Sequence, residues 1–255
     1  MVAARTGRRA ALLGIAGLLA SGPLGAFGDA GAFHPRLLSA GGVRLTGPRA
    51  TSPARWAFEL MRRTNASGNP SSPAVRADEA DLLAEPFVLW AGSAEFPALS
   101  PSEVRGLRAF LTLGGMIVAD DLEPERGGFV ASVRRELRRI LPEHPVVELE
   151  PAHVLFQSYY LVDRPVGRVL GPGRVEAVSR GKAAQVLLLR HDLLGALARS
   201  QADDWALEVV PGGPRQREQA VRFAVNIAMY LLCSDYKDDQ VHASSLMRRR
   251  ARFRP

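Results

Sequence analysis

The sequence predicts an α/β protein in which helices cover both faces of a mostly parallel sheet. Three observations favour this class: strand-like apolar runs alternate with amphipathic helical patterns, several runs are continuous rather than alternating, and Gly or Pro separates the segments. The chain of 255 residues is 47% hydrophobic and 23% charged, which suits one globular domain and excludes a disordered chain. With a single cysteine, it also excludes a disulfide-stapled miniprotein and a structural zinc site.

In the first half of the chain, capping residues, glycines and prolines mark the boundaries of the predicted helices and strands. Ser100 and Glu103 form a capping box around Pro101, which predicts the start of a helix, and Gly114 ends that helix. Short apolar runs predict strands over 33–39, 87–90 and 116–119, and helical patterns predict helices from 52 to about 64 and from 100 to 113.

The second half continues the alternation of helices and strands. Residues 129–141 place apolar side chains on one face and arginines on the other, and Pro142 ends this helix. Further apolar runs predict strands over 145–149, 174–179 and 185–189, and a last helix is predicted from about 214 to 232. Residues 31–233 are therefore expected to form one α/β domain.

Residues 1–30 have the pattern of an export signal. Arg8 and Arg9 precede about fifteen mostly small apolar residues, which are too few to span a bilayer, and small residues at 28–30 offer a cleavage site. The arginine pair favours the twin-arginine route, while an ordinary secretory signal and an uncleaved anchor are the alternatives. We therefore expect an exported protein of the periplasm or cell envelope, with no transmembrane helix in the mature chain.

The positive charge does not indicate nucleic-acid binding. The net charge is +7, but five arginines lie within a polar, arginine-rich tail predicted over residues 234–255, and three lie within the export signal. The remaining domain is close to neutral and lacks the interleaved basic and aromatic residues of a single-strand binding groove. A nucleic-acid partner is not expected.

Chemically active side chains stand where predicted strands end. Asp120 and Asp121 follow one strand, Ser93 follows another, and the pair His191 and Asp192 follows a third. Ligands of open parallel sheets bind outside the carboxyl ends of the strands, so these side chains are candidates for a binding site. As the structural alternative, one aspartate caps the next turn and the other is solvated or paired with Arg126.

Two further residues complete the candidate set. His153, in a loop rich in aromatic residues, is a candidate ligand or base beside Asp120 and Asp121, whose carboxylates suit a divalent cation, sugar hydroxyls or acid-base work. Trp205 is a candidate for stacking a sugar ring, with a loop anchor as the alternative. The cofactor is left open, and a divalent cation held by Asp120, Asp121 and His153 is the candidate.

Several segments in register resemble the bacterial family called domain of unknown function 4159. The resemblance covers essentially the whole mature chain. It is carried by residues 110–121, 129–142, 153–160, 192–195, Trp205, 211–217, Asn226, Tyr230 and 235–242. It implies a relative of the class I glutamine amidotransferase-like fold, a flavodoxin-like three-layer sandwich, and gene neighbourhoods with envelope-associated ATPase and von Willebrand-type proteins.

The departures from that fold argue against amidotransferase chemistry. Its enzymes use a cysteine at a strand-to-helix elbow, whereas Cys233 falls in the predicted last helix. This chain also has Ser93 and Gln157 where family members often carry histidines. We therefore expect a non-catalytic module that binds an envelope protein or a small carbohydrate-like ligand. The alternative is a metal- or carboxylate-dependent hydrolase of envelope carbohydrate or amide substrates, which requires Asp120 or Asp121 to meet His153.

Overall fold

The structure, a computed structural model, describes residues 31–181 and 183–237. The strands are β1 (Leu37–Ser39), β2 (Ala74–Arg76), β3 (Phe87–Gly92), β4 (Met116–Asp121), β5 (Val146–Glu148), β6 (Glu176–Arg180) and β7 (Ala183–Leu189). The helices are α1 (Ser52–Arg63), α2 (Pro101–Thr112), α3 (Gly128–Ile140), α4 (Leu193–Leu197) and α5 (Gly213–Lys237).

The strands form one seven-stranded sheet in the order β2-β1-β3-β4-β7-β6-β5. Neighbours from β2 to β7 pair in parallel, whereas β6 runs antiparallel to both β7 and β5. The sheet is thus mixed but mostly parallel and is flanked by helices, which confirms the predicted α/β class. The central strands β3, β4 and β7 are buried almost throughout, as their continuous apolar runs predict.

Two hydrophobic cores lie on opposite faces of the sheet, because successive strand side chains point to opposite sides. In β3, Leu89 joins a core with α1, α4 and α5, while Val88 and Trp90 join a core with α2 and α3. The indole of Trp56 in α1 donates a hydrogen bond of 2.8 Å to the Ala224 carbonyl, which joins α1 to α5. The arrangement is a three-layer sandwich.

The structure confirms the capping box predicted at the start of α2. The Ser100 hydroxyl accepts a hydrogen bond from the Glu103 N–H at 3.2 Å, and the Glu103 carboxylate accepts one from the Ser100 N–H at 2.8 Å. The other Glu103 oxygen accepts from the Gly41 N–H at 2.9 Å, so the cap also ties α2 to the loop after β1.

Some boundaries differ from those predicted. The first strand covers only Leu37–Ser39, because Pro35 has no N–H to donate to a ladder. The short strand β2 and the helix α4 were not predicted, since three and five residues carry too little periodicity. Helix α5 continues to Lys237, so the tail predicted from residue 234 begins inside a helix.

The predicted export signal, residues 1–30, and the rest of the tail, residues 238–255, lie outside the described residues. In the ranges that are described, none of the helices combines the length and apolar character needed to cross a bilayer.

Candidate functional site

Asp120 and Asp121 end β4 at the carboxyl edge of the sheet, and both are fully buried. Asp120 accepts hydrogen bonds from the backbone N–H groups of Leu193 at 3.1 Å and Leu194 at 2.8 Å, the first two residues of α4. These N–H groups have no partner within the helix, so Asp120 caps α4 from the neighbouring strand. Burial, reinforced by the nearby Asp192 carboxylate, raises the pKa of Asp120 well above its ordinary value.

Asp121 performs a similar task for α3. The residue before that helix is Gly127, which has no side chain with which to cap it. Asp121 accepts from the Glu123 N–H at 3.0 Å and, at 3.4 Å, from the Val130 N–H in the first turn of α3. Burial raises the pKa of Asp121 as well. The two adjacent carboxylates thus hold backbone on different elements.

Asp192 is the centre of a buried ionic cluster. Its backbone is left-handed, with φ of 51°, and its side chain accepts from the Gly195 N–H at 2.9 Å as the cap of α4. Arg49 donates from Nε to Oδ1 at 2.8 Å and from Nη2 to Oδ2 at 2.6 Å. Arg168 forms a further ion pair with the same carboxylate. Asp192 therefore fixes the segments that carry Arg49 and Arg168 to the tip of β7.

His191 is buried beside this cluster, and both ring nitrogens are engaged. Nε2 lies 2.7 Å from the Pro172 carbonyl, and Nδ1 lies 3.2 Å from the Arg190 N–H. Burial lowers the pKa of His191 to about 4, so the ring is neutral at physiological pH. A Cβ on Gly171 would lie 2.1 Å from the Arg190 carbonyl oxygen, so only glycine permits this close approach.

His153 lies at the opposite edge of the sheet. Its Nδ1 accepts from the Leu155 N–H at 3.2 Å, which caps a short 3₁₀ turn, and its ring centroid lies 5.5 Å from that of Tyr230. The Tyr230 hydroxyl accepts from the Ala184 N–H near the start of β7, whereas Asp120 pairs with Leu189 at its end. Five residues of strand separate these points by about 16 Å.

The side chains predicted to form a metal or hydrolytic centre are therefore not brought together. Asp120 and Asp121 lie at the carboxyl edge of the sheet, and His153 lies near its amino edge. Within residues 31–181 and 183–237, no three side chains of His, Cys, Asp or Glu are grouped as a metal ion requires. Burial lowers the pKa of His153, and its ring serves as a cap.

Ser93 is exposed just after β3, where an aromatic cluster fills the strand tips. The rings of Trp90, Phe96 and Phe129 lie with centroids 5.1 to 5.9 Å apart. A Cβ on Gly92 would lie 2.5 Å from the Phe129 ring, so the backbone packs directly on this cluster. Ser93 itself is exposed, and none of the described hydrogen bonds or ion pairs brings it together with the other candidate side chains.

Trp205 lies beside α1 and the start of α5, and it is 39% exposed. The guanidinium carbons of Arg199, Arg217 and Arg55 lie over its ring at 4.3, 4.5 and 5.2 Å from the centroid. Arginines thus already contact the indole surface that a sugar ring would stack on. Between α1 and α5, next to this ring, is a groove of about 560 Å³, which we call the Trp205 groove.

Sequence reasoning missed the arginines that organise both regions. Arg49 and Asp192 are 143 residues apart, so no spacing in the sequence indicates their ion pair. A short-range signal does exist for one pair: Arg199 and Asp203, in the loop between α4 and α5, are four residues apart and form an ion pair. The convergence of arginines on Trp205 depends on tertiary structure alone.

Comparison with known proteins places the chain in a family. No match was found among curated proteins. The family model described as "Domain of unknown function (DUF4159)" matches residues 44–232, which include every strand of the sheet but β1 and extend almost to the end of α5. The chain belongs to this family, as its sequence motifs predicted.

Proposed function

We propose that this chain is an exported cell-envelope protein that binds a ligand or a partner and performs no chemistry on it. The observation that carries the proposal is that the carboxylates at the strand tips already hold the fold. Asp120 and Asp121 accept backbone N–H groups, and Asp192 neutralises Arg49 and Arg168. A general base or metal ligand must reach a substrate, whereas these three carboxylates are fully buried and are used in contacts within the fold.

The single cysteine supports the same reading. Cys233 is exposed near the end of α5, which is not the strand-to-helix turn where an activated nucleophile stands. The Trp205 groove, in contrast, lies between two helices next to a half-exposed indole, in the volume range of small-molecule sites. Binding is therefore the function that these features favour.

The test combines binding with product analysis. The purified protein is unfolded thermally with Ca²⁺, Mg²⁺, Mn²⁺, Zn²⁺ and a panel of envelope saccharides, and each sample is then analysed by mass spectrometry. A ligand at about one hundred times its Kd adds about 2.7 kcal/mol to stability, which is several degrees in Tm. We expect a shift with the ligand recovered intact. Cleavage of any saccharide that depends on the protein would overturn the proposal.

The location is tested separately. Cells producing the chain are fractionated, and Arg8→Lys with Arg9→Lys is compared with the unchanged sequence. We expect the unchanged protein in the periplasmic or envelope fraction and the double variant retained in the cytoplasm. An unchanged protein that stays in the cytoplasm would contradict export.

A further inference from the structure

The longest irregular segment of the described chain, residues 149–175, connects β5 to β6 and lies against α5. Apart from one 3₁₀ turn at Val154–Gln157, it has no helix or strand. Irregular segments of more than about 15 residues are uncommon in compact domains and are usually either functional or disordered. The contacts of this segment with the rest of the fold show which of the two applies here.

Two polar side chains of α5 hold the segment in place. Asn226 is fully buried, and its side chain accepts a hydrogen bond from the Tyr160 N–H at 2.7 Å and donates one to the Tyr160 carbonyl at 2.8 Å. Gln216, which is also buried, donates from Nε2 to the Gly167 carbonyl at 3.0 Å. The backbone is therefore fixed on both sides of residues 161–166, and the segment is ordered.

This fixed backbone carries apolar side chains that face solvent. Leu161 is 86% exposed and Leu170 is 47% exposed. Single exposed leucines are common, but these two line adjoining grooves of about 280 and 310 Å³ between the segment and α5. The grooves meet at Arg164 and Gln219, which line both, and we call the two grooves together the Arg164 surface. Because its backbone is already ordered, little conformational entropy is lost when a partner covers it.

The Arg164 surface is positively charged. Its lining residues include Arg164, Arg215 and Arg222, and Asp163 supplies the one carboxylate among them. Arg222 pairs with Glu218 at 2.9 Å. Neither Arg164 nor Arg215 forms an ion pair or a side-chain hydrogen bond with any residue that the structure describes, and both are exposed. Two guanidinium groups beside exposed leucines thus complement a partner that carries both carboxylates and apolar side chains.

Gln219 indicates what kind of partner fits. It lies exposed where the two grooves meet, and its side-chain amide has no hydrogen-bond partner within the described chain. An amide offers both a donor and an acceptor, which match the N–H and carbonyl groups of a polypeptide backbone. Concave grooves also hold individual side chains, whereas a lipid bilayer presents a flat surface. These features favour a polypeptide over a membrane.

We propose that the Arg164 surface docks a segment of a partner protein in which acidic residues flank apolar ones. The apolar side chains of the partner fill the grooves beside Leu161 and Leu170, and its carboxylates pair with Arg164 and Arg215. This inference rests on the proposed binding function and names a class of partner and the surface that it contacts.

A random peptide library displayed on phage supplies the probes. The library is selected on the purified full chain, the selected peptides are synthesised, and their Kd values are measured by fluorescence anisotropy. We expect the selected peptides to combine Asp or Glu with Leu, Ile or Phe, and to bind more weakly as salt is added, because exposed charge pairs are screened. Selection of no peptide, or of peptides without acidic residues, would overturn the proposal.

Two matched pairs of variants locate the binding. Arg164→Gln removes an exposed cation of the surface, and Arg105→Gln removes an exposed cation of α2, on the other face of the sheet. Leu161→Ser removes an exposed apolar side chain of the surface, and Val154→Ser removes one from the same irregular segment outside the grooves. We expect Arg164→Gln and Leu161→Ser each to weaken peptide binding about tenfold and their controls to leave it unchanged. All four are expected to retain the wild-type Tm, because the replaced side chains are exposed.

Two further outcomes would overturn the docking surface. Equal losses in a variant and its control would place the peptide elsewhere on the protein. Sedimentation of the chain with vesicles of phosphatidylcholine and phosphatidylglycerol, lost in Arg164→Gln, would assign the surface to a membrane instead of a polypeptide.

The failure of this inference is distinguishable from the failure of the proposed function. A saccharide that raises the Tm while no peptide is selected would support a binding module without this docking surface. Conversely, cleavage of a selected peptide whose binding depends on Arg164 would support the surface and overturn the non-catalytic function.

Discussion

Arg49 and Asp192 form a two-point ion pair at the carboxyl edge of the sheet, with Nε and Nη2 of the arginine 2.8 and 2.6 Å from the two carboxylate oxygens. The Asp192 side chain is fully buried, and that of Arg49 is 21% exposed. The pair connects the segment before α1 to the cap of α4. An acid that looks catalytic in the sequence is thus part of the framework.

Replacing Arg49 with methionine leaves Asp192 with one arginine fewer in a buried setting. Breaking a buried pair from one side leaves a charge without its partner, so the free energy of unfolding is expected to fall by about 3 kcal/mol. Urea denaturation measures this change in the free energy of unfolding. Arg44→Met, at an exposed position nearby, is the control. Equal effects at both positions would mean that the ion pair contributes nothing specific.

Asp120 is expected to make the folded state less stable as the pH rises, because its pKa is raised rather than lowered by folding. Its folded pKa is raised above the unfolded value, so the folded state holds the proton more tightly, and this contribution declines as pH rises above about 4. Asp120→Asn keeps the shape without the charge. The stability of the variant relative to wild type is expected to rise in urea denaturation as the pH is raised above 4, until the buried wild-type carboxyl has ionised. A difference in stability that does not change with pH above 4 would refute the buried-charge account.

His191 has the opposite effect to Asp120: it is expected to lower the stability of the folded state as the pH falls. Its folded pKa of about 4 is below the unfolded value of 6.5, so stability is complete above 6.5 and is lost as pH falls toward 4. The loss from this group is expected to reach about 3 kcal/mol, and His191→Gln should remove it. Titration of the ring by NMR gives an independent check. A midpoint near the unfolded value would contradict the buried, neutral ring.

Gly106 lies in the middle of α2, where alanine usually stabilises a helix. Here a Cβ would lie 1.8 Å from the Ala77 carbonyl oxygen, which is backbone and cannot move aside cheaply. Gly106→Ala is therefore expected to lower the free energy of unfolding by about 2 kcal/mol or more. Gly173→Ala, where a Cβ meets nothing within 4 Å, serves as the control. A stabilised Gly106→Ala would show that α2 shifts freely away from that carbonyl.

The sequence predicts the layers of this protein better than it predicts the contacts of its polar residues. The strands β3, β4 and β7 are visible as apolar runs because both of their faces are buried, and α2 is visible through its capping box. The edge strand β2 buries only Val75, so no pattern reveals it. Short elements held by neighbours need tertiary contacts to be recognised.

At the candidate site too, the positions of the side chains can be predicted from the sequence, but their contacts cannot. The position of Asp120 and Asp192 at strand tips is predictable, since parallel strands place their carboxyl ends at one edge. What the two acids bind is not, because Arg49 comes from a distant segment and the N–H groups belong to the unpredicted helix α4. The arginines around Trp205 come from two helices and from the loop between α4 and α5, and they share no spacing in the sequence.

The two outermost strands of the sheet, β2 and β5, each contain only three residues. A strand this short offers few free backbone groups, and the exposed charges of Arg76 and Glu148 discourage a second chain from pairing there. The sheet is therefore poorly suited to growth by strand addition, either in self-association or in aggregation. Recognition by this molecule is expected to use side chains between its helices rather than the backbone at its edges.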